Sequence, residues 1–409
     1  LTSNLYTAQK VSDLIASLIG EENVYLYPVD DMLRNETLTS SKELLAQRLF
    51  VLSKCQEDRP RIVVTHATAL VTPLPTVEEF FKNTFFFEKG KEYNLTDIKT
   101  ILVESGYEQV NKIDQTLQFA SRGDILDIFP VSQDNPIRIE FFGDLVESVS
   151  YFSIADQVSF SSLDNVKIEP ANDVLFTDEE IDDFKIRIQQ QVLKDKEHLD
   201  SEKGYLLAQN TSLDLDRIEA RAYHPKLYKY VRYIKKETNS LIDYFKPELT
   251  FISNKEQFDV ALEFATKEAR QYFSELNAEG KLVTHLELYN DVKDIFKNQK
   301  NILFSNNFRN SSDEIEFKTS PIVYSKANAS NLKIILDQYI NNTEKLILAL
   351  SNKQQYDTVI NYLESEKLDF ELLKGLEIPT KKIGVTIFSL EDGFELPEYK
   401  IIFISSKEL

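Results

Sequence analysis

A chain of 409 residues, 42% apolar and carrying 27 Phe and 19 Tyr but no Trp, has room for roughly two to four domains with cores of their own. Its formal charge of −20 opposes the phosphate backbone of nucleic acid, so any contact with DNA has to come from a local basic patch. The single cysteine, Cys55, excludes an internal disulfide and suits a reducing compartment. No apolar run of about 18 residues and no signal sequence is present, so the chain reads as cytoplasmic. It opens on Leu1 rather than Met and is read as a fragment at its N-terminus.

Val11, Leu14, Ile15 and Leu18 recur at helical spacing, and Gly20 ends the pattern. Val24-Tyr25-Leu26-Tyr27 reads as a short strand closed by Pro28, residues 41–54 as a helix, and Ile62-Val63-Val64-Thr65 as a buried strand. This is the rhythm of a doubly wound α/β domain, in which crossover helices separate parallel strands. From about residue 80 to 175 short alternating strands replace the helices. Ile137, Ile139 and Phe141 point one way, and Arg138, Glu140 and Phe142 the other. Gly143-Asp144 then turns the chain into a second strand over 145–152. A simple two-residue turn would set Glu140 opposite Glu147, so the spacing predicts a bulge.

Helices return at Thr177, which forms a capping box with Glu180 ahead of the stripe Ile181, Phe184, Ile188 and Val192. The connection through Gly204 and Asn210 is polar and short. A strand at 249–253 precedes a long helix from 255 to 276, and the polar run 300–320 (Asn306, Asn307, Asn310, Ser311, Ser312) reads as a linker. Beyond it, strands at 322–324, 346–350, 370–373, 385–388 and 401–404 alternate with two helices. These are marked by Leu332, Ile335, Leu336 and Tyr339, and by Tyr356, Val359, Ile360 and Leu363.

No two of the ten glycines stand at phosphate-loop spacing before a lysine, and no GxGxxG occurs. His66, His198, His224 and His285 are too scattered to share a metal, and Cys55 has no adjacent base. Asp124 and Asp127, three apart in one strand, face opposite sides. Asp178, Glu179, Glu180, Asp182 and Asp183 crowd a helix start, where the dipole favours them. No catalytic residue, cofactor or metal site is predicted.

Two stretches have binding chemistry. On the first hairpin strand, Arg138 and Phe142 share the outer face, and arginine with a large aromatic supplies much of the energy at protein interfaces. A cross-strand pair that only stabilises the sheet is equally compatible with the pattern. In the second, Tyr223, Lys226, Tyr228, Lys229, Tyr230, Arg232, Tyr233, Lys235 and Lys236 interleave aromatics with cations, as base stacking on DNA requires. The alternative, favoured by the acidity of the chain, packs the tyrosines inward and leaves the lysines solvated.

Gly106-Tyr107, then Phe119-Ala120-Ser121-Arg122-Gly123-Asp124-Ile125-Leu126-Asp127-Ile128-Phe129-Pro130 and Pro136-Ile137-Arg138-Ile139-Glu140-Phe141-Phe142-Gly143-Asp144, resemble the N-terminal part of bacterial transcription-repair coupling factors. The same block is similar to the matching domain of the excinuclease component UvrB. Asn4-Leu5, Gln47-Arg48-Leu49 and Val63-Val64-Thr65 fit the family's first domain; Gly393-Phe394, Leu396-Pro397 and Ser406-Lys407-Glu408-Leu409 fit its third. The resemblance implies an α/β fold: a degenerate helicase-like (RecA-like) lobe over 1–80 and 176–305, an inserted mixed α+β domain at 81–175, and a small C-terminal α/β domain at 315–409. The family's opening segment, where a phosphate loop would sit, is expected to lie before Leu1.

By the same resemblance the inserted domain docks the excinuclease component UvrA through Arg122, Arg138 and Phe142. The chain is then a monomeric recruitment module of transcription-coupled nucleotide excision repair with no ATPase activity or cofactor of its own. RNA polymerase, DNA and ATP are engaged by other parts of the full-length protein. The rival expectation is a DNA-binding, ATP-dependent damage-recognition lobe of the UvrB type, which needs a phosphate loop and a DNA-inserting aromatic hairpin. The connection through Gly204 and Asn210 is too short and polar for that hairpin.

Overall fold

The computed structural model describes residues 1–30, 42–59, 61–220, 225–297, 302–305, 318–322 and 343–409, with isolated positions at 299, 333, 336 and 338–340. Tyr223, His224, most of the polar run 300–320, residues 323–324 and much of the helix expected around Leu332 and Ile335 lie outside them. The chain is mixed α/β with several sheets and divides into two units, Leu1–Gln9 with Tyr25–Asn307, and Lys10–Val24 with Phe308–Leu409. Among the described residues no helix is long and apolar enough to cross a membrane.

The first unit is built on a layer that the chain's opening residues complete. Val24–Leu26 pairs with Ile62–Val64, and Thr250–Ile252 runs parallel to Ile302–Phe304. Leu1 and Thr2 lie between the two pairs. Thr2 donates its N–H to the Thr65 carbonyl and accepts from Ala67 (2.9 and 3.0 Å); Leu1 donates to the Phe251 carbonyl at 2.6 Å and accepts from Ser253 at 2.8 Å. That evenly spaced exchange is the pattern of parallel strands. Two sequence expectations need correcting here. Ile302–Phe304 is a strand inside the supposed linker. Ile62–Val64 is buried only at Val64, with Ile62 41% exposed.

The helix Leu5–Ile19 follows the opening strand directly and ends at Gly20, whose φ of 93° only glycine adopts without strain. Its expected apolar stripe is not fully covered, since Leu14 and Leu18 are exposed.

The helix Lys42–Ser53 buries Leu45, Leu49 and Leu52 in a core that runs without interruption into the inserted sheet, through Phe80 and Phe87 to Phe119, Ile137, Ile139 and Phe141. The inserted sheet has the order Glu108–Gln109, Gln118–Arg122, Ile125–Ile128, Ile137–Phe142, Leu145–Phe152, Ser159–Leu163, antiparallel after its first pair. The predicted bulge is present between Glu140 and Phe141. It sets Glu140 opposite Ser148, whose hydroxyl donates to the carboxylate at 2.6 Å, so the Glu140–Glu147 repulsion never arises. Asp124 belongs to the turn before Ile125–Ile128 rather than to the strand.

Thr177 and Glu180 form the expected capping box on Asp178–Lys196. The polar connection after it is the 19-residue helix Ser201–Glu219, capped by Asp200. The two helices bury Ile181, Phe184, Ile188, Leu207, Leu215 and Ile218 together with Tyr230 and Ile234.

In the second unit the strand order is Ser320–Pro321, Phe394–Leu396, Ile401–Ser405, Lys345–Leu350, Ile383–Ile387, Phe370–Leu372. The last four are parallel and the first two antiparallel; Phe394–Leu396 was not anticipated. The helix Lys353–Ser365 packs Val359 and Leu363 on Leu346, Leu348, Val385 and Ile402.

Candidate functional site

The inner face of the inserted sheet is fixed by its apolar alternation, which turns the other set of side chains outward. Register aligns Ala120, Asp127, Arg138 and Ser150 in one row, and Arg122, Ile125 and Glu140 in the next toward the turn. Phe142 ends the row of outward residues on its strand beside Leu145, its cross-strand partner. Phe142 is 77% exposed, and the Arg122 side chain 57%.

Arg138 lies on the outer face as alternation predicts, but it is covered there: its side chain is 13% exposed. A fork of hydrogen bonds ties it to Asp127, Nε to Oδ1 at 2.8 Å and Nη2 to Oδ2 at 2.9 Å. Its Nη1 donates to the Gln157 carbonyl at 2.9 Å, and the guanidinium lies 4.5 Å from the centre of the Phe152 ring. Phe152 belongs to a second small core on this outer face, with Ile113, Ala120 and Phe129. Alternation gives the side of a sheet a residue occupies, but not whether neighbouring segments cover that side. The bonds to Asp127 raise the Arg138 pKa further above its already high value.

Asp127 is the residue that sequence reasoning undervalued. Its buried carboxylate serves Arg138 and also lies 3.5 Å from Nη2 of Arg122. The signal was available once the strand 125–128 is paired with 137–142, because the register puts Asp127 directly across from Arg138.

The tyrosine-rich stretch behaves differently from both sequence readings. Tyr230 is buried, and its hydroxyl donates to Asp214 at 2.9 Å; Lys229 pairs with the same carboxylate at 2.6 Å. Lys235 is buried between Glu79 and Glu180, and Arg187 lies 4.9 Å from the centre of the Tyr233 ring. Tyr228 donates to Asp173 and accepts from Arg48 at 2.9 Å, while Arg48 also pairs with Asp173 at 2.8 Å. Among the described tyrosines Tyr230 is buried and Tyr228 and Tyr233 are half-buried, as the packing alternative held, but Lys229 and Lys235 are paired rather than solvated. Of the cations whose side chains are described in this stretch, Lys236 is the one classed as exposed.

His66 is fully buried, and its Nε2 accepts the Val29 N–H at 3.2 Å. Burial pushes the Cys55 thiol up to about 11, far from a nucleophile's range. Among the described residues no three His, Cys, Asp or Glu gather as a metal site.

The opening strand bears on the phosphate-loop question. A phosphate loop joins a strand to a helix through glycines that free backbone amides for the ligand. Here Thr2 passes to the helix at Leu5 through Ser3 and Asn4 alone. The Asn4 side-chain oxygen already accepts the Thr7 N–H at 2.9 Å and its hydroxyl at 3.0 Å. The junction between Thr2 and the helix at Leu5 therefore holds no glycine.

A family model described as the UvrB interaction domain matches residues 85–174, the stretch that forms the inserted sheet. Over its whole length the chain is 28% identical to the transcription-repair-coupling factor of Bacillus subtilis (strain 168), with 431 residues aligned. It is 21% identical to the protein of that name from Staphylococcus haemolyticus (strain JCSC1435) and 22% to that from Staphylococcus aureus (strain bovine RF122 / ET3-1). The chain matches the N-terminal module of the transcription-repair-coupling factors. It spans 36% of the length of these relatives. Within the stretch that this model matches fall Arg122, Asp127, Arg138 and Phe142; the tyrosine-rich stretch lies outside it.

Proposed function

We propose that this chain is a recruitment module of transcription-coupled nucleotide excision repair, and that its outer sheet face docks the excinuclease component UvrA. The observation that carries the reading is Phe142: a large aromatic held 77% exposed at the tip of a bulged hairpin, within the stretch that matches the UvrB interaction domain. A phenyl ring in water costs free energy that a partner's apolar pocket recovers. Arg122 stands on the same outer face and supplies a cation.

In this reading residues 1–80 and 176–305 form a degenerate helicase-like lobe, 81–175 the docking domain and 315–409 a small α/β domain. The short Ser3–Asn4 junction supports a lobe without ATPase activity, acting as a scaffold in the cytoplasm as a monomer. RNA polymerase, DNA and ATP are then the business of other parts of a longer protein. A DNA-binding, ATP-hydrolysing lobe of the UvrB type finds less support, since the described cations of the tyrosine-rich stretch are mostly spent on internal carboxylates.

The test is equilibrium binding of the purified chain to UvrA, wild type against Phe142→Ala. The reading requires a loss of affinity with unchanged folding. Equal affinity, or salt-sensitive DNA binding as the dominant activity, refutes it.

A further inference from the structure

We infer that Asp127 is the positioning residue of the docking face, and that Arg138 acts through it rather than by touching the partner. The inference rests on the docking proposed above and adds how the face is held in shape. Asp127 is 1% exposed, so its carboxylate cannot reach a bound protein. Its two oxygens take Arg138 Nε and Nη2 at 2.8 and 2.9 Å, and Arg122 Nη2 stands 3.5 Å from the second of them.

Arg138 has little left to offer outward. Nε and both terminal nitrogens are engaged, by Asp127 and by the Gln157 carbonyl, and Phe152 covers the guanidinium plane. Arg122 is the group with freedom, and Asp127 is the neighbour that limits it. Without that carboxylate the two guanidinium groups would lose the anion they share, with only Glu140 in the neighbouring row left on the face, and Arg122 would swing into solvent. A partner would then have to order it on binding, at a cost in affinity. The planar fork also explains why arginine rather than lysine stands at 138: a lysine would supply the charge but not the two parallel bonds that fix the carboxylate.

The experiment is a double-mutant cycle read by affinity for UvrA. Asp127→Asn should weaken binding by about tenfold, the scale on which supporting groups act. Arg122→Ala should weaken wild type clearly yet add little in the Asp127→Asn background, because the position it loses is already lost. A purely structural Asp127 would give additive effects.

Because Asp127→Asn leaves a buried guanidinium unpaired, a second variant guards against misfolding. Asp127→Leu with Arg138→Met removes the whole pair, a replacement that proteins often tolerate without loss of stability. It should stay folded, bind as weakly as Asp127→Asn and show the same insensitivity to Arg122→Ala. Wild-type affinity in that variant, or additive losses in the cycle, overturns the positioning role while a weakened Phe142→Ala leaves the docking face standing. If Phe142→Ala binds as wild type, the docking reading itself fails and this inference with it.

Discussion

Lys235→Met probes the buried charge that joins two helix starts. The Lys235 side chain is 3% exposed and its ammonium contacts Glu79 and, at 2.8 Å, Glu180. Each glutamate is the third residue of its helix, Val77–Lys82 or Asp178–Lys196, and closes a capping box by accepting the backbone N–H of its own cap at 2.9 Å. Methionine replaces most of the lysine stem but leaves two carboxylates sharing one site. Breaking a buried pair from one side costs about 3–5 kcal/mol. Both carboxylates keep part of their surface in water, which screens the repulsion and lowers the expected loss to about 2–3 kcal/mol at pH near 7. Acid supplies the check on mechanism. Burial alone would raise the Glu79 pKa, but the hydrogen bonds from Lys235 and Thr76 outweigh it and hold it below the usual glutamate value. A carboxylate depressed in this way contributes stability above its unfolded pKa and loses it as pH falls through the folded one. The gap between wild type and Lys235→Met should therefore be widest near neutrality and narrow as acid carries the pH down through the depressed folded pKa of Glu79. Urea unfolding at neutral pH and in a descending acid series measures it. An equal loss across the series would mean that the lysine acts through its packing, and the electrostatic account would be wrong.

Phe142→Ala should cost about 2–4 kcal/mol of binding to UvrA, measured by calorimetry, while thermal unfolding shifts by less than about 0.5 kcal/mol because the ring is exposed. Gly280 has φ 71°, and a Cβ there would stand 2.5 Å from the Lys203 carbonyl oxygen. Gly280→Ala should therefore destabilise by more than about 1 kcal/mol in a urea titration. With the Cys55 thiol pushed up to about 11 by burial, alkylation at pH 8 should run on the order of 100-fold slower than for an unhindered cysteine, and urea should abolish the difference.

Local signals in the sequence were legible where one element settles them. The Thr177–Glu180 capping box, the hairpin with its bulge and most parallel strands of the second unit follow from spacing and side-chain alternation alone. Failures came where distant segments decide. Nothing near Arg138 reveals that Phe152 and Gln157 cover it, and nothing near Lys235 reveals Glu79, 156 positions away. Ser201–Glu219 was missed because Gly204 and Asn210 are poor helix formers; packing of Leu207, Leu215 and Ile218 against the neighbouring helix overrides them. Leu1 and Thr2 carry no pattern of their own, and only their hydrogen bonds to both neighbouring segments place them between the two strand pairs.

The core explains why docking and stability should separate. Phe80 and Phe87 carry one apolar core from the parallel layer's flank into the inner face of the inserted sheet, and the proposed docking residues lie on the opposite face. At the domain's far end Asp173 is held by Arg48 from the helix Lys42–Ser53 and by Tyr228, all within the first unit. Opposing effects act on Arg48: burial would lower its pKa, but Asp173 and the phenol hydroxyls raise it well above the usual arginine value, so it stays charged. Arg48→Met leaves the Asp173 carboxylate buried without its cation and should cost about 3–5 kcal/mol of folding stability in urea. Arg122, Asp127 and Phe142 are on the strands of the inserted sheet and share no bond with this cluster, so below the melting transition the variant should bind UvrA within about twofold of wild type. A parallel fall in affinity would show that the docking face depends on how the inserted sheet is pinned, and the division of labour between the two faces would have to be abandoned.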